Sequence, residues 1–250
     1  MGKYDAYYNA IEEIKESLTK ELFGTEDEET LTHQLPTIVV FKPEEQQAIL
    51  KACRKERLGF AIELDFMTGL RIGELCALKW RDFDFSEKLF TVQRTLQRVQ
   101  KKTAEIHEKS TKTEIVEGET KTKNGKRVIP MTDTMFANLI QHRSRQTFEK
   151  LRAGRGYEDN GYVFANEIGC PIEPSYLRDV YERILKTAGV PHYKFHTIRH
   201  TFATRAIENN MPVKVVSQIL GHSSVQLTMD LYCHPSVSAK RNVLEKMENL

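Results

Sequence analysis

Apolar side chains recur along most of this chain at the three- and four-residue steps of a helix, and give way to β-branched runs in one middle stretch. In residues 4–23, Tyr7, Ile11, Ile14, Leu18 and Leu22 mark the face of an amphipathic helix that Gly24 ends. The acidic run Glu26 to Glu29 and then Pro36 read as a linker, with Thr37 to Phe41 as a short extended segment. Pro43, which has no N–H to lose at a first helical position, opens a helix to Arg54, with Glu44 and Glu45 suited to its positive end. A more uniformly apolar helix runs from Leu58 to Met67. Trp80 to Ser86 reads as a turn, and Leu89 to Val99 as one strand. Strands over Glu114–Thr122 and Lys126–Pro130 flank Asn124-Gly125, two residues that accept the positive φ of a tight hairpin. Helices are then predicted over Asp133–Leu151, Pro174–Ala188, Thr197–Asn209, Pro212–Leu220, Val225–Cys233 and Val237–Met247. The expected fold is mainly α with a small antiparallel β-sheet, without internal repeats.

Composition narrows the class. At 250 residues and 40% hydrophobic content the chain can bury a proper core. No apolar run approaches the ~18 residues that span a bilayer, and the N-terminus has no signal-peptide segment, so a cytoplasmic protein without a membrane partner is expected. Cys53, Cys76, Cys170 and Cys233 lack metal-ligand or CxxC spacing and suit reduced thiols. Residues 1–50 hold four lysines against eleven carboxylates, so of the net charge of +2 the remaining residues carry +9. A basic body of that size suits a polyanionic partner.

The chemistry concentrates between His196 and Tyr232. His196 and Arg199 stand three apart in Phe195-His196-Thr197-Ile198-Arg199-His200-Thr201, so on a helix they converge on one anionic group. Leu220-Gly221-His222-Ser223-Ser224 breaks between two helices, and Tyr232 follows ten residues after His222. Far upstream lies Thr68-Gly69-Leu70-Arg71-Ile72-Gly73-Glu74-Leu75. A guanidinium donates paired hydrogen bonds to phosphoryl oxygens and stays charged at any working pH, which suits Arg71 and Arg199 to a phosphate clamp. Arg71 also opens a helix, where its charge opposes the dipole, and Glu74 three residues on can pair with it or orient it. His200, one turn after His196, suggests a zinc pair, but the further ligands and the HExxH carboxylate are missing, and a structural role fits it better.

These boxes, in this order, resemble the tyrosine recombinase (phage integrase) family, and the similarity runs from about Thr37 to the C-terminus. The segment Thr120 to Met131 resembles the hairpin that carries the family's lysine. The resemblance implies a catalytic set of Arg71, Lys121, His196, Arg199, His222 and Tyr232, with Glu74 in support and no metal or other cofactor. Tyr232 would attack the scissile phosphate to give a 3′-phosphotyrosine and a free 5′-hydroxyl, conserving the bond energy so that no ATP is needed. Lys121 would protonate the leaving 5′-oxygen, with Lys123 on the same strand face as the alternative. Lys123, Lys126 and Arg127 are then candidates for DNA-backbone contacts.

The family implies double-stranded DNA as partner, a homotetramer holding two duplexes, and accessory DNA-bending proteins, in a bacterium or phage-infected cell. Residues 1–36 would be an acidic helix and linker, 37–235 the catalytic domain, and 236–250 a tail helix whose Val243, Leu244 and Met247 dock on a neighbouring protomer or on their own domain. Some 36 residues are too few for the helical core-binding domain the family usually carries, so a catalytic fragment or a reduced form is expected. Two alternatives remain: a non-catalytic helix-turn-helix module built on Pro212–Leu220 and Val225–Cys233, and a type I topoisomerase of the same chemistry.

Overall fold

The computed structural model describes residues 38–100, 113–119 and 125–232. The expected helices over 4–23 and 237–247, and with them Lys121, Lys123 and Cys233, lie outside the described residues.

The helix Gly59–Thr68 (α2) forms the centre of the fold. Its residues Phe60, Ala61, Ile62, Leu64 and Phe66 are all buried, because apolar side chains fill most of its circumference and leave Glu63 on the side nearest water. Around it pack Pro43–Cys53 (α1), Pro174–Ala188 (α5) and Thr197–Glu208 (α6). In α5, Leu177, Val180, Tyr181, Ile184 and Leu185 make the inward stripe, while Pro174 starts the helix and Gly189 ends it in the left-handed conformation. Asp133–Ala153 (α4) buries only Met135, Leu139, His142 and Gln146, at helical spacing, and Thr132 caps it by accepting from the Met135 amide at 3.2 Å.

Two short helices bear on the site. Ile72–Cys76 (α3) follows Gly69, and Val213–Leu220 (α7) ends at Gly221 and leads into Val225–Tyr232 (α8). Gly69 and Gly221 both take positive φ, so each helix before them stops abruptly and leaves its last carbonyls facing the centre.

The β structure departs from expectation. The predicted strand Leu89–Val99 is two strands, Leu89–Val92 (β2) and Arg94–Gln100 (β3), in different sheets. Asp82 explains the break: it accepts from Gln93 Nε2 at 3.0 Å and pairs with Arg94, fixing the chain where it turns out of the first sheet. The expected hairpin is also different. Thr113–Glu119 (β4) pairs antiparallel with β3, whereas Arg127–Pro130 (β5) pairs antiparallel with β2, with Phe83–Asp84 (β1) on β2's other edge. The described residues thus form two small antiparallel sheets on a mainly helical body.

Along β5 burial alternates, so Arg127 and Ile129 point inward while Val128 and Pro130 face out. No described helix is long and apolar enough to cross a membrane.

A Cβ on Gly69 would lie 2.8 Å from Leu220 and 2.9 Å from Phe202, on a backbone at φ 60°. Gly69→Ala should therefore lower the unfolding free energy by about 2–4 kcal/mol, read from the urea midpoint, because strain and overpacking act together.

Candidate active site

Arginines from separate elements meet around one carboxylate. Glu74, on α3, is only 3% exposed. It accepts from Arg71 Nη1 at 2.9 Å, from the Arg71 amide at 3.1 Å, and from Arg127 Nη1 and Nη2 at 3.2 and 2.8 Å. Burial alone would raise this carboxyl, but the hydrogen bonds and charge of Arg127, and then of Arg71, outweigh it and hold Glu74 below its ordinary range.

Carbonyls at helix ends aim the guanidiniums further. Arg199 Nη1 donates to Gly69 O at 2.7 Å and Nη2 to Leu220 O at 2.8 Å. Arg127 Nε donates to Ile219 O at 2.5 Å, and Arg71 Nη2 to Gly221 O at 3.2 Å. The C-terminal end of α7 therefore anchors all three, its partial negative charge offsetting like-charge repulsion. Burial, then Arg71, pulls the Arg199 guanidinium down to about 10, which leaves it charged at neutral pH. Arg71, with its side chain 44% exposed, is the one of the three that opens to solvent.

Asp65 in α2 does not cancel this charge. It is wholly buried, and desolvation drives its carboxyl well above the usual range against the pull of Arg199. The site thus holds three guanidiniums against one ionised carboxylate, an excess suited to a bound anion.

The tyrosine joins this cluster through imidazoles. α8 buries Thr228 and Tyr232, which lie one turn apart on its inward face. Tyr232 is 9% exposed, and its hydroxyl lies 2.7 Å from His200 Nδ1. Thr228 Oγ1 lies 2.7 Å from His222 Nδ1, fixing that ring parallel to the phenol to within 5°. His196, at the start of α6, meets His200 edge-on at 4.6 Å between centroids. Burial pushes the Tyr232 phenol up against the pull of Arg199. Desolvation, and then the neighbouring positive groups, bring His196 and His222 down to about 4 and lower His200 as well. All three imidazoles are neutral at pH 7, so they donate or accept as neutral groups until an anion arrives.

Of the residues singled out from sequence, the structure brings Arg71, Glu74, His196, Arg199, His222 and Tyr232 together. Lys126 lies exposed just before β5, while Lys121 and Lys123 lie outside the described residues. Arg127 is a correction: instead of facing a DNA backbone it is buried, its donors engaged by Glu74, Ile219 O and Gly125 O. The strand alternation that turns Ile129 inward is the signal that marks it. His200, which sequence reasoning leaves in a structural role, touches the Tyr232 hydroxyl. Its helical spacing from His196, which puts both on one face, is the signal that points there.

Residues 40–238 match the model of the phage integrase family. The chain belongs to that family. It is 41% identical over 231 residues to a XerC-like tyrosine recombinase of Caldanaerobacter subterraneus, covering 91% of this chain and 57% of that protein. It is 25% identical to an integrase of Saccharopolyspora erythraea, covering 82% of this chain and 56% of that protein. The chain thus spans little more than half the length of these relatives. Among solved structures, the Tn1549 transposon integrase in complex with a circular intermediate DNA aligns with a TM-score of 0.67 at 22% identity, over 85% of this chain and 67% of that one. The XerA recombinase aligns at 0.59 and 24% identity, over 85% and 65%. At these identities the two structures speak for the fold, and they share the mainly helical architecture of this chain.

Two outcomes follow from the site's electrostatics. Glu74→Gln leaves the Arg127 guanidinium buried without its counter-charge and should cost about 3 kcal/mol in urea unfolding. Because the folded pKa of buried His222 lies below the unfolded value, the unfolded chain binds more protons at acid pH. Stability should be full above about pH 6.5 and fall toward pH 4, by roughly 2–3 kcal/mol for His222, with a shallower slope in His222→Ala, as urea unfolding across that range will show.

Proposed function

We propose that residues 37–235 of the chain are the catalytic domain of a site-specific DNA recombinase that cuts and rejoins strands through a 3′-phosphotyrosine. The observation that carries the reading is the convergence of a buried tyrosine hydroxyl, three imidazoles and three guanidiniums on one small region. Such a set supplies a nucleophile and neutralisation of the charge on phosphoryl oxygens without metal or ATP. Arg71 and Arg199 take the non-bridging oxygens, while Glu74, itself held by Arg127, keeps Arg71 in place. His196 and His222 donate to the phosphoryl oxygens, a role that neutral N–H groups fill. Lys121, or else Lys123, protonates the leaving 5′-oxygen, and Lys126 contacts the DNA backbone. Exchange between two duplexes would use four protomers on double-stranded DNA, aided by DNA-bending proteins, in the cytoplasm of a bacterial host. The tail 236–250 would dock between copies.

The helix-turn-helix reading fits less well. The outward face of α8 presents Val225, Leu227 and Met229, and its Gln226 amide is bonded to Asp230, so it offers neither a cation to phosphate nor an unengaged amide to a base edge. A type I topoisomerase would use the same site, and relaxation of supercoils without recombination of paired sites would favour it.

A nicked duplex, selected by covalent capture from a random-sequence pool, tests the reading. The wild-type chain should form a denaturant-stable adduct in the presence of EDTA. Tyr232→Phe should form none, and Arg199→Ala should form it at least ~100-fold more slowly. Failure of the wild-type chain to form an adduct on DNA that it binds would refute the proposal.

A further inference from the structure

We propose that His200, through Nδ1, is the catalytic base that takes the hydroxyl proton of Tyr232 during strand cleavage and returns it during resealing. The inference rests on the recombinase reading and adds the group that handles the nucleophile's own proton.

Geometry singles out this histidine. Its Nδ1 lies 2.7 Å from the Tyr232 hydroxyl, a hydrogen-bonding distance that places an acceptor on the reacting atom. His222 commits Nδ1 to Thr228, and its ring centroid is 6.5 Å from the phenol, against 5.8 Å for His200. His196 packs its ring against His200. The hydroxyl's role as donor requires an unprotonated Nδ1, which the neutral imidazole with its proton on Nε2 provides.

The surroundings keep the base neutral. Arg199 and His196 face His200 from the α6 segment, and Tyr232 faces it from α8. Burial, then Arg199, lowers the imidazole below its ordinary range, while burial raises the phenol. Neither group favours a proton already transferred in the free protein. The transfer is therefore coupled to attack, when phosphorus draws the oxygen's negative charge into the new bond.

The step balances. An Oη lone pair forms the bond to phosphorus as the O–H bond breaks, its electrons remaining on Oη and its proton passing to Nδ1. The bond from phosphorus to the 5′-oxygen breaks with its pair on that oxygen, which takes a proton from the lysine proposed above. In resealing the 5′-hydroxyl attacks phosphorus as its proton returns to that lysine, the bond from phosphorus to Oη breaks with its pair on Oη, and the departing phenolate recovers its proton from His200.

The test compares the wild-type chain with His200→Ala and His200→Gln on the captured duplex, made with either oxygen or sulfur at the bridging 5′ position. A thiolate leaves without a proton, so sulfur compensates for a missing acid but not for a missing base. Adduct formation in both variants should fall about 10²–10⁴-fold on both substrates, with DNA affinity and melting temperature held. Added imidazole should restore part of the His200→Ala rate, and that rate should keep rising with pH as phenolate forms. Wild-type speed in His200→Ala, full recovery on the sulfur substrate, or a loss that follows a lowered melting temperature and ignores imidazole would overturn the assignment. A wild-type chain that forms no adduct would instead bring down the recombinase reading beneath it.

Discussion

Three like-charged guanidiniums cannot share a buried region unless something holds them, and in this protein the ionised carboxylate of Glu74 and the carbonyl end of α7 do so. Glu74 takes Arg71 and Arg127, and the carbonyls of Ile219, Leu220 and Gly221 take one arginine each. The charge left over is positive and pre-aimed. Preorganised charge of this kind stabilises an anionic transition state with little reorganisation during the reaction.

The rest of the fold serves that arrangement. The apolar α2 gives a rigid centre, and its end at Gly69 presents the carbonyl that receives Arg199. α6, with His196 at its cap, carries Arg199 and His200, so one helix connects the guanidinium cluster to the imidazoles. Pairing of β5 with β2 fixes Arg127 at the inner face of a sheet. α8 closes the set with two inward residues, of which Thr228 orients His222 and Tyr232 reaches His200.

Much of this is legible in the sequence, for definite reasons. Helix periodicity and terminal proline and glycine locate α1, α5 and α7, because those signals are local. The arginine, histidine and tyrosine boxes stand out by their chemistry and order. Strand pairing is less readable: Asn124-Gly125 is a local hairpin signal, but β4 and β5 are tied into different sheets by distant partners, Glu117 by Lys79 and Tyr162 and Arg127 by Glu74. Arg127 reads as surface because a cation beside a turn commonly is, and its burial depends on a carboxylate 53 residues away. His200 looks structural because nothing near it in sequence reveals that a hydroxyl 32 residues later will meet it.

In the proposed reaction this arginine cluster holds a phosphodiester while Tyr232 attacks it. The most direct measurement is a crystal structure of the chain trapped on a nicked duplex. Tyr232 Oη should be bonded to phosphorus, with non-bridging oxygens within about 3 Å of Arg71 and Arg199 and Glu74 still paired with Arg127. A scissile phosphate bound away from these arginines, or joined to another side chain, would contradict it.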